Sequence, residues 1–430
     1  MDHQRFKLVL ENHVRPMFTG SELSEQDENP RWKKRQAFLR NVCEMIVRPP
    51  GEEAKCFSLK RSQAFDQADA DFVESFIKHL DELDAVTDTS LLDDLINPLL
   101  RRTVAQRVAS PPSSPGRQPP MLRRTVAQRV ASPASDLVSR ILAQYEAWAE
   151  QTYEGRKISA AIGIDPGNAT ATGVQVLKVF AESFGAVLAN GLESFLIAGA
   201  NGDLVGYEPL SNAPGGLSLA APLRFCRLAE WAAGQKVGVG LNRNGEILVF
   251  ANQGIIFAKR RGSWRHFTHE ALIKRIALHG SFEPDLCKAV YQTSLDVSFA
   301  KTGGGIALIR RTKANDLRTA AVVNDKDLRG ATTLKGQCLK TIIGKPFQQL
   351  DRRLRQDIVA MDGATVLDYR GNVLAAGAIV KVDAGSDGGG RLLAARTLAK
   401  YGLGIKISTD GEIRGFKTDG SNVQEIFRFA

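Results

Sequence analysis

The sequence predicts an α/β protein, a mixed β-sheet flanked by helices, with a mainly helical N-terminal region ahead of it. Three observations carry this. From residue 136 onward, short β-branched and apolar runs alternate with longer stretches of helical periodicity. Several of the short runs are separated by glycine-containing turns and read as hairpins, so the sheet is mixed rather than wholly parallel. Residues 1–98 instead show helical spacing, clearest in Phe72, Phe76, Ile77, Leu80 and Leu83.

In chain order, Thr89-Ser90 before Leu91, Leu92, Leu95 and Ile96 reads as a capped short helix stopped at Pro98, and residues 1–99 carry no recognisable chemistry. The basic run Arg31-Trp32-Lys33-Lys34-Arg35 is read as a solvated face. Residues 100–135 read as a basic Pro/Ser/Arg linker. Within it the twelve residues Leu100–Pro111 recur unchanged at Leu122–Pro133, and residues 100–133 hold seven arginines and no acid. Two copies are too few for a solenoid, and the prolines between them interrupt any continuous helix. The linker is expected to be mobile and open to protease.

An amphipathic helix from Asp136 (Leu137, Ile141, Leu142, Tyr145, Trp148) opens the next segment, 136–285, followed by 286–430. Strands are expected at 157–164, 194–198, 236–241, 246–250, 254–258, 305–309, 364–367, 373–376 and 404–408. Helices are expected at 174–190, 269–279, 285–300, 346–360 and 389–402, with Thr268 capping the second of these.

Composition narrows the partners. No apolar run is long enough to span a bilayer, and Met1–Arg5 opens no apolar signal segment, so a cytoplasmic address is expected. Cys43, Cys56, Cys226, Cys287 and Cys338 are odd in number and lack CxxC spacing, which fits reduced thiols rather than a disulfide or zinc framework. The formal net charge of +10 is carried by residues 151–430 and points to an anionic partner. Nucleic acid is disfavoured, because the basic segment has no interleaved aromatics. His266 and His269 lack a third nearby ligand for a metal. Ile162–Asn168 resembles the first strand of a Holliday-junction resolvase, with Asp165 as the metal carboxylate. The further carboxylates that a nuclease needs are missing, so an Asp-Pro-Gly turn is the preferred reading.

The richest constellation lies near the C-terminus. Gly388-Gly389-Gly390 before Arg391 opens a helix, an arrangement in which backbone N–H groups, the positive helix end and a guanidinium face one anion. Upstream, Asp362-Gly363-Ala364 begins a strand–turn–strand, with Arg391 falling 29 residues after Asp362. Gly303-Gly304-Gly305 leads the strand Ile306–Ile309, and Ser408-Thr409-Asp410 follows the strand at 404–408. In order and spacing these four motifs, over about Val290–Phe427, resemble the diadenylate cyclase superfamily (the DisA N-terminal, or DAC, domain), with its DGA motif, its G-x-Arg-His-Arg-Ala-Ala helix start, its Gly-Ala-Leu-Ile strand and its Val-Ser-Glu-Glu turn. Glu154–Arg156, Asn244–Phe250 and Lys259–Trp264 are similar, more loosely, to the N-terminal part of DACNV, a sensor-type domain built on this fold.

The resemblance implies a diadenylate-cyclase-like domain binding nucleotide through Gly303, Gly304, Gly305, Asp362, Gly363, Ala364, Gly389, Gly390, Arg391, Ser408, Thr409 and Asp410. It implies catalysis by Asp362, with Mg2+ or Mn2+, only if the domain is active; otherwise no cofactor and no metal are expected. Here the family's His and second Arg are Leu392 and Leu393, and its Glu pair is Thr409-Asp410. Losing two groups that compensate triphosphate charge would cost on the order of 10² to 10⁴ in rate. The expectation is therefore a sensor for an adenine nucleotide or cyclic dinucleotide, with Arg396 as a candidate second phosphate contact and a protein partner for the N-terminal region. The alternatives are an active diadenylate cyclase making cyclic di-AMP from two ATP and, behind it, the Asp165 nuclease.

Overall fold

The structure is a computed structural model describing residues 2–27, 37–49, 55–81, 92–109, 132–182, 184–210, 220–279, 282–313, 315–316, 322–381, 389–420 and 422–430. It is α/β, as the sequence predicts. The basic run at Arg31–Arg35, residues 110–131 with most of the second repeat, and Gly388 lie outside the described residues.

The chain divides into two compact units. The first comprises Met1–Met17, Glu22–Leu59 and Phe65–His266; the second comprises Phe18–Ser21, Lys60–Ala64 and Phe267–Ala430. This differs from boundaries at 100, 136 and 286. The N-terminal region belongs with residues up to 266 because buried contacts join them: His266 Nδ1 lies 2.6 Å from Asp69 Oδ1, and Phe72 packs 5.2 Å from the Phe257 ring. The later boundary moves earlier because the Arg275 side chain donates to the Ile426 carbonyl and Phe267 packs on Phe299.

In the first unit, α1 (His3–Val9) continues through a π-helical turn to Met17. It is followed by β1 (Glu22–Asp27), β2 (Ala37–Asn41), β3 (Glu44–Val47) and β4 (Lys55–Lys60), forming a sheet in the order β1-β4-β3-β2. The sequence reading did not anticipate this sheet within an otherwise mainly helical region. Then come α2 (Gln67–Asp81), α3 (Leu92–Ala109) and α4 (Pro133–Trp148).

Two local expectations are corrected in this stretch. Pro98 sits inside α3 rather than ending it. A proline there forfeits one backbone hydrogen bond, but Leu100, Val104, Ala105 and Val108 are buried beyond it and hold the helix to Ala109. Residues 100–109 of the first repeat are therefore packed helix, not linker. The last two residues of the second repeat open α4: Ser132 caps it by accepting from the Ser135 N–H, and Pro133 occupies its first turn.

The hairpin β5 (Thr152–Tyr153) and β6 (Arg156–Lys157) leads to β7 (Ala160–Asp165), α5 (Val176–Ala181) and α6 (Phe184–Leu188). The chain continues through β8 (Ser194–Gly199), β9 (Leu204–Pro209), α7 (Cys226–Trp231), β10 (Val237–Leu241), β11 (Ile247–Ala251), β12 (Gly254–Arg260) and β13 (Ser263–His266). These strands form a sheet ordered β13-β12-β11-β10-β7-β8-β9, parallel at β7–β8 and antiparallel elsewhere.

In the second unit, α8 (His269–Leu278) and α9 (Pro284–Ala300) precede β14 (Gly304–Ile309), α10 (Leu334–Ile342), α11 (Arg352–Ala360), β15 (Ala364–Asp368), β16 (Val373–Ala378), α12 (Gly390–Ala399), β17 (Gly402–Ile407), β18 (Ile413–Asp419) and β19 (Asn422–Phe429). Helix α8 starts where expected, but the Thr268 side chain makes no capping bond. The sheet order is β16-β15-β14-β17-β18-β19, with β14–β15 parallel and the other pairs antiparallel.

Helices cover both faces of this sheet. A side chain on Gly304 would strike Val359 of α11 and Val297 of α9. On the opposite face Leu398 of α12 packs with Ala307, Ile309, Val366 and Ala375. No helix among the described residues is long and apolar enough to cross a membrane.

Candidate functional site

Strand direction and register gather the predicted residues at one end of the second sheet. Parallel pairing of Ile306 with Thr365 sets Gly305 beside Ala364, and a Cβ on Gly305 would lie 3.5 Å from the Gly363 carbonyl. Antiparallel pairing of Gly304 with Ile407 brings the end of β17 to the same edge, so Ser408-Thr409-Asp410 turns directly beyond it. Helix α12 runs back along β17 after only Lys400-Tyr401, which returns its first turn to that edge as well.

The closest convergence is at Gly303. Its φ is +67°, and a side chain there would overlap the Arg391 guanidinium and sit 3.1 Å from Thr409 Cγ2. Glycine is required twice over, for the left-handed backbone and for the arginine lying across it. Arg391 is half-buried, and its Nε is buried with no hydrogen-bond partner among the described residues, where no ion pair engages the guanidinium. Gly389, the residue before α12, has φ +78° and makes no side-chain cap. A Cβ on Gly389 or Gly390 would meet nothing within 4 Å. Among the described residues the helix start is thus open, with an unengaged cation beside it, an arrangement that suits an anion.

The other members have defined environments. Asp362 is exposed and leads into Gly363, whose φ of +103° brings it against the Gly377–Ala378 peptide. The Ser408 turn is closed by its N–H donating to the Glu412 carbonyl, and is anchored by Ser298 Oγ donating to the Gly411 carbonyl at 2.5 Å. Asp410 Oδ1 accepts from the Glu412 N–H. Leu392 packs on Ala395, Ala399 and Phe416, so it serves the core. Arg396 points elsewhere, its guanidinium stacked 6.0 Å from the Phe416 ring centroid, and no contact joins it to Arg391.

Asp327, Lys335 and Gly377 escaped the sequence reading. Lys335 Nζ donates to Asp327 Oδ1 at 2.8 Å and to the Gly377 carbonyl at 2.6 Å. No periodicity or motif signals a contact across 42 residues between a helix and a strand end. Ser298 was likewise invisible within the apolar spacing of α9.

Mg2+ or Mn2+, implied only by the catalytic alternative, would find Asp362 as an exposed carboxylate. Among the described residues, no group of three or more His, Cys, Asp or Glu side chains is placed to hold a metal ion. The donor set among the described residues does not fit a closed metal site. Asp165 ends β7 as expected, its Oδ1 accepting from the Gly167 N–H and its Oδ2 3.4 Å from Lys236 Nζ. His266 faces Asp69, and His269 Nδ1 lies 2.6 Å from the Tyr291 hydroxyl.

No protein-family model matches the chain. No curated protein matches it either. Solved structures that match include a double mutant of DacA from Staphylococcus aureus, with 15% sequence identity and a TM-score of 0.21, covering 33% of this chain and 86% of that one. This similarity is weak, and a TM-score of that size carries no argument about fold or activity.

Proposed function

We propose that the second unit is a nucleotide-binding sensor module, taking an adenine nucleotide or cyclic dinucleotide and holding it without turnover. The observation that carries this reading is the Arg391 guanidinium lying over Gly303, beside Thr409 and the Gly389–Gly390 helix start, with no partner for it among the described residues. One phosphate can receive a charge-assisted fork from Arg391 together with backbone N–H groups of the first turn of α12. A leaving pyrophosphate would need more cationic groups around it, and Leu392 and Leu393 supply none.

Catalysis is the second reading, and the exposed carboxylate of Asp362 at the same sheet edge favours it. One experiment separates the two. Purified protein is incubated with ATP and Mg2+ or Mn2+, and both bound nucleotide and dinucleotide product are measured. The expected result is saturable binding with no product above background. Turnover that disappears in Asp362→Asn would establish the enzyme instead. Absence of binding to any adenine nucleotide or cyclic dinucleotide at millimolar concentration would remove both readings.

A further inference from the structure

We infer that Lys335, held by Asp327, is a positioning residue for Asp362, acting through the Gly377 carbonyl on which the Asp362–Gly363 turn rests. The inference deepens the proposed nucleotide reading and depends on it for its consequence in binding.

The chain of contacts is continuous. Asp327 is buried, with Oδ2 accepting from the Ile379 N–H at 3.1 Å and Oδ1 from Lys335 Nζ at 2.8 Å. Burial alone would raise the Asp327 carboxyl; the hydrogen bonds from Lys335 and Ile379 and the charge of Lys326 outweigh it and hold the group below its ordinary value. Lys335 stands in the first turn of α10, whose start is fixed by the Thr333 side chain accepting from the Gly336 N–H. Its ammonium makes a second bond, 2.6 Å to the Gly377 carbonyl.

Gly377 has φ +55°, and a Cβ there would lie 3.0 Å from the Asp362 carbonyl and 3.3 Å from both Lys335 Nζ and Met361 Cβ. From the other side, a Cβ on Gly363 would lie 2.6 Å from the Gly377 carbonyl carbon and 2.7 Å from the Ala378 oxygen. The Asp362 turn and the Gly377 peptide are therefore packed backbone to backbone, and Lys335 is the side chain that ties that peptide to a buried carboxylate. A partly exposed lysine bonded this way fixes a direction, because its two acceptors lie on different elements. Released, the turn lets the Asp362 carboxylate move against a phosphate at Arg391, and repulsion follows.

The test uses the full chain carrying Lys335→Met, Lys335→Arg, Asp362→Asn and the Lys335→Met/Asp362→Asn pair. Amide hydrogen exchange of peptides covering 361–380, without nucleotide, reads the clamp alone. Faster exchange there in Lys335→Met, with peptides from β17–β18 unchanged and Lys335→Arg close to wild type, is expected. Equal exchange in wild type and Lys335→Met overturns the inference. Calorimetric titration with ATP and with cyclic di-AMP reads the consequence. Lys335→Met should weaken binding about 3- to 10-fold when Asp362 is present and less than about 2-fold in the Asp362→Asn background. Equal losses in both backgrounds would mean that Lys335 contributes only stability or bulk charge, and would overturn the positioning role. If wild type binds neither ligand while exchange changes as expected, the nucleotide reading fails and the clamp on the Asp362 turn stands.

Discussion

Among the described residues no hydrogen bond or ion pair engages Arg391, so the effect of removing it falls on the ligand rather than on the fold. Arg391→Ala should reduce nucleotide affinity about 10- to 150-fold, the equivalent of a charge-assisted contact worth about 1.5–3 kcal/mol. Asp362→Asn removes a negative charge from the same edge, and in a sensor without metal its affinity should hold or rise. Calorimetry on both variants checks this, and a large loss in Asp362→Asn would contradict it. A second pair of arginines makes the opposite comparison inside the core. Arg352 grips Asp296 through two 2.8 Å bonds, with both side chains buried. Arg355, one turn later, is fully buried over the Phe347 ring, and among the described residues neither Nε nor either Nη finds a hydrogen-bond partner. Burial first, then Arg352, pushes its pKa down to about 10. Arg352→Ala removes the guanidinium that grips a buried carboxylate and should cost about 3–5 kcal/mol, whereas Arg355→Met should be neutral or stabilising. Denaturant melts of the two variants give both numbers, and a severe loss in Arg355→Met would show that its charge is needed.

At the scale of elements, strands β14 to β17 could be read from the sequence because each is a run of Val, Ile, Leu or Ala bounded by glycine or a polar turn. The gathering of Gly303, Asp362 and Arg391 followed from those strands and from the glycines that open α12. β1 could not be read this way. Glu22–Asp27 is polar along most of its length and sits at a sheet edge, so it shows no alternation to detect. The Lys335–Gly377 bond was hidden for another reason: it joins elements whose only relation is tertiary. Pro98 misled in the opposite direction, because a local rule about helix ends yielded to packing beyond it. That packing is testable. Arg107 lies in α3 between the buried Val104 and Val108, and Arg101 pairs with Glu146 of α4. Both arginines should resist trypsin in the folded chain, as measured by mapping early cleavage sites; rapid cutting after Arg107 would show α3 to be loosely held.

For the molecule as a whole, acid is the condition to which stability should respond first. His279 is held neutral by burial and then by the charges of Arg275, Lys417 and Arg310, which lower its pKa to about 4. An unfolded histidine takes up its proton near 6.5. The unfolded state therefore binds more protons between those values, and stability should fall as pH drops from about 6.5 and level off near 4. Glu425 adds a loss at lower pH. Burial favours its neutral form, but hydrogen bonds from Arg428 and Arg414 prevail and keep the carboxyl below its ordinary range. Its contribution is present above the unfolded value and disappears as pH falls through the folded one. Melts of His279→Gln against wild type across pH 4–7 should show the upper part of the slope flattened, and an unchanged slope would assign it elsewhere.

The second unit is not a contiguous stretch of chain. Phe18–Ser21 and Lys60–Ala64 belong to it: Arg61 lies 5.3 Å from the Phe18 ring centroid, Gln63 Oε1 accepts from the Arg428 N–H, and a Cβ on Gly20 would come within 3.1 Å of Arg428 Cβ. In hereditary terms this makes the unit a poor cassette. A recombination event that lifted out codons 267–430 would leave two pieces behind, and any fusion that retained the fold would have to carry the first sixty-odd codons with it.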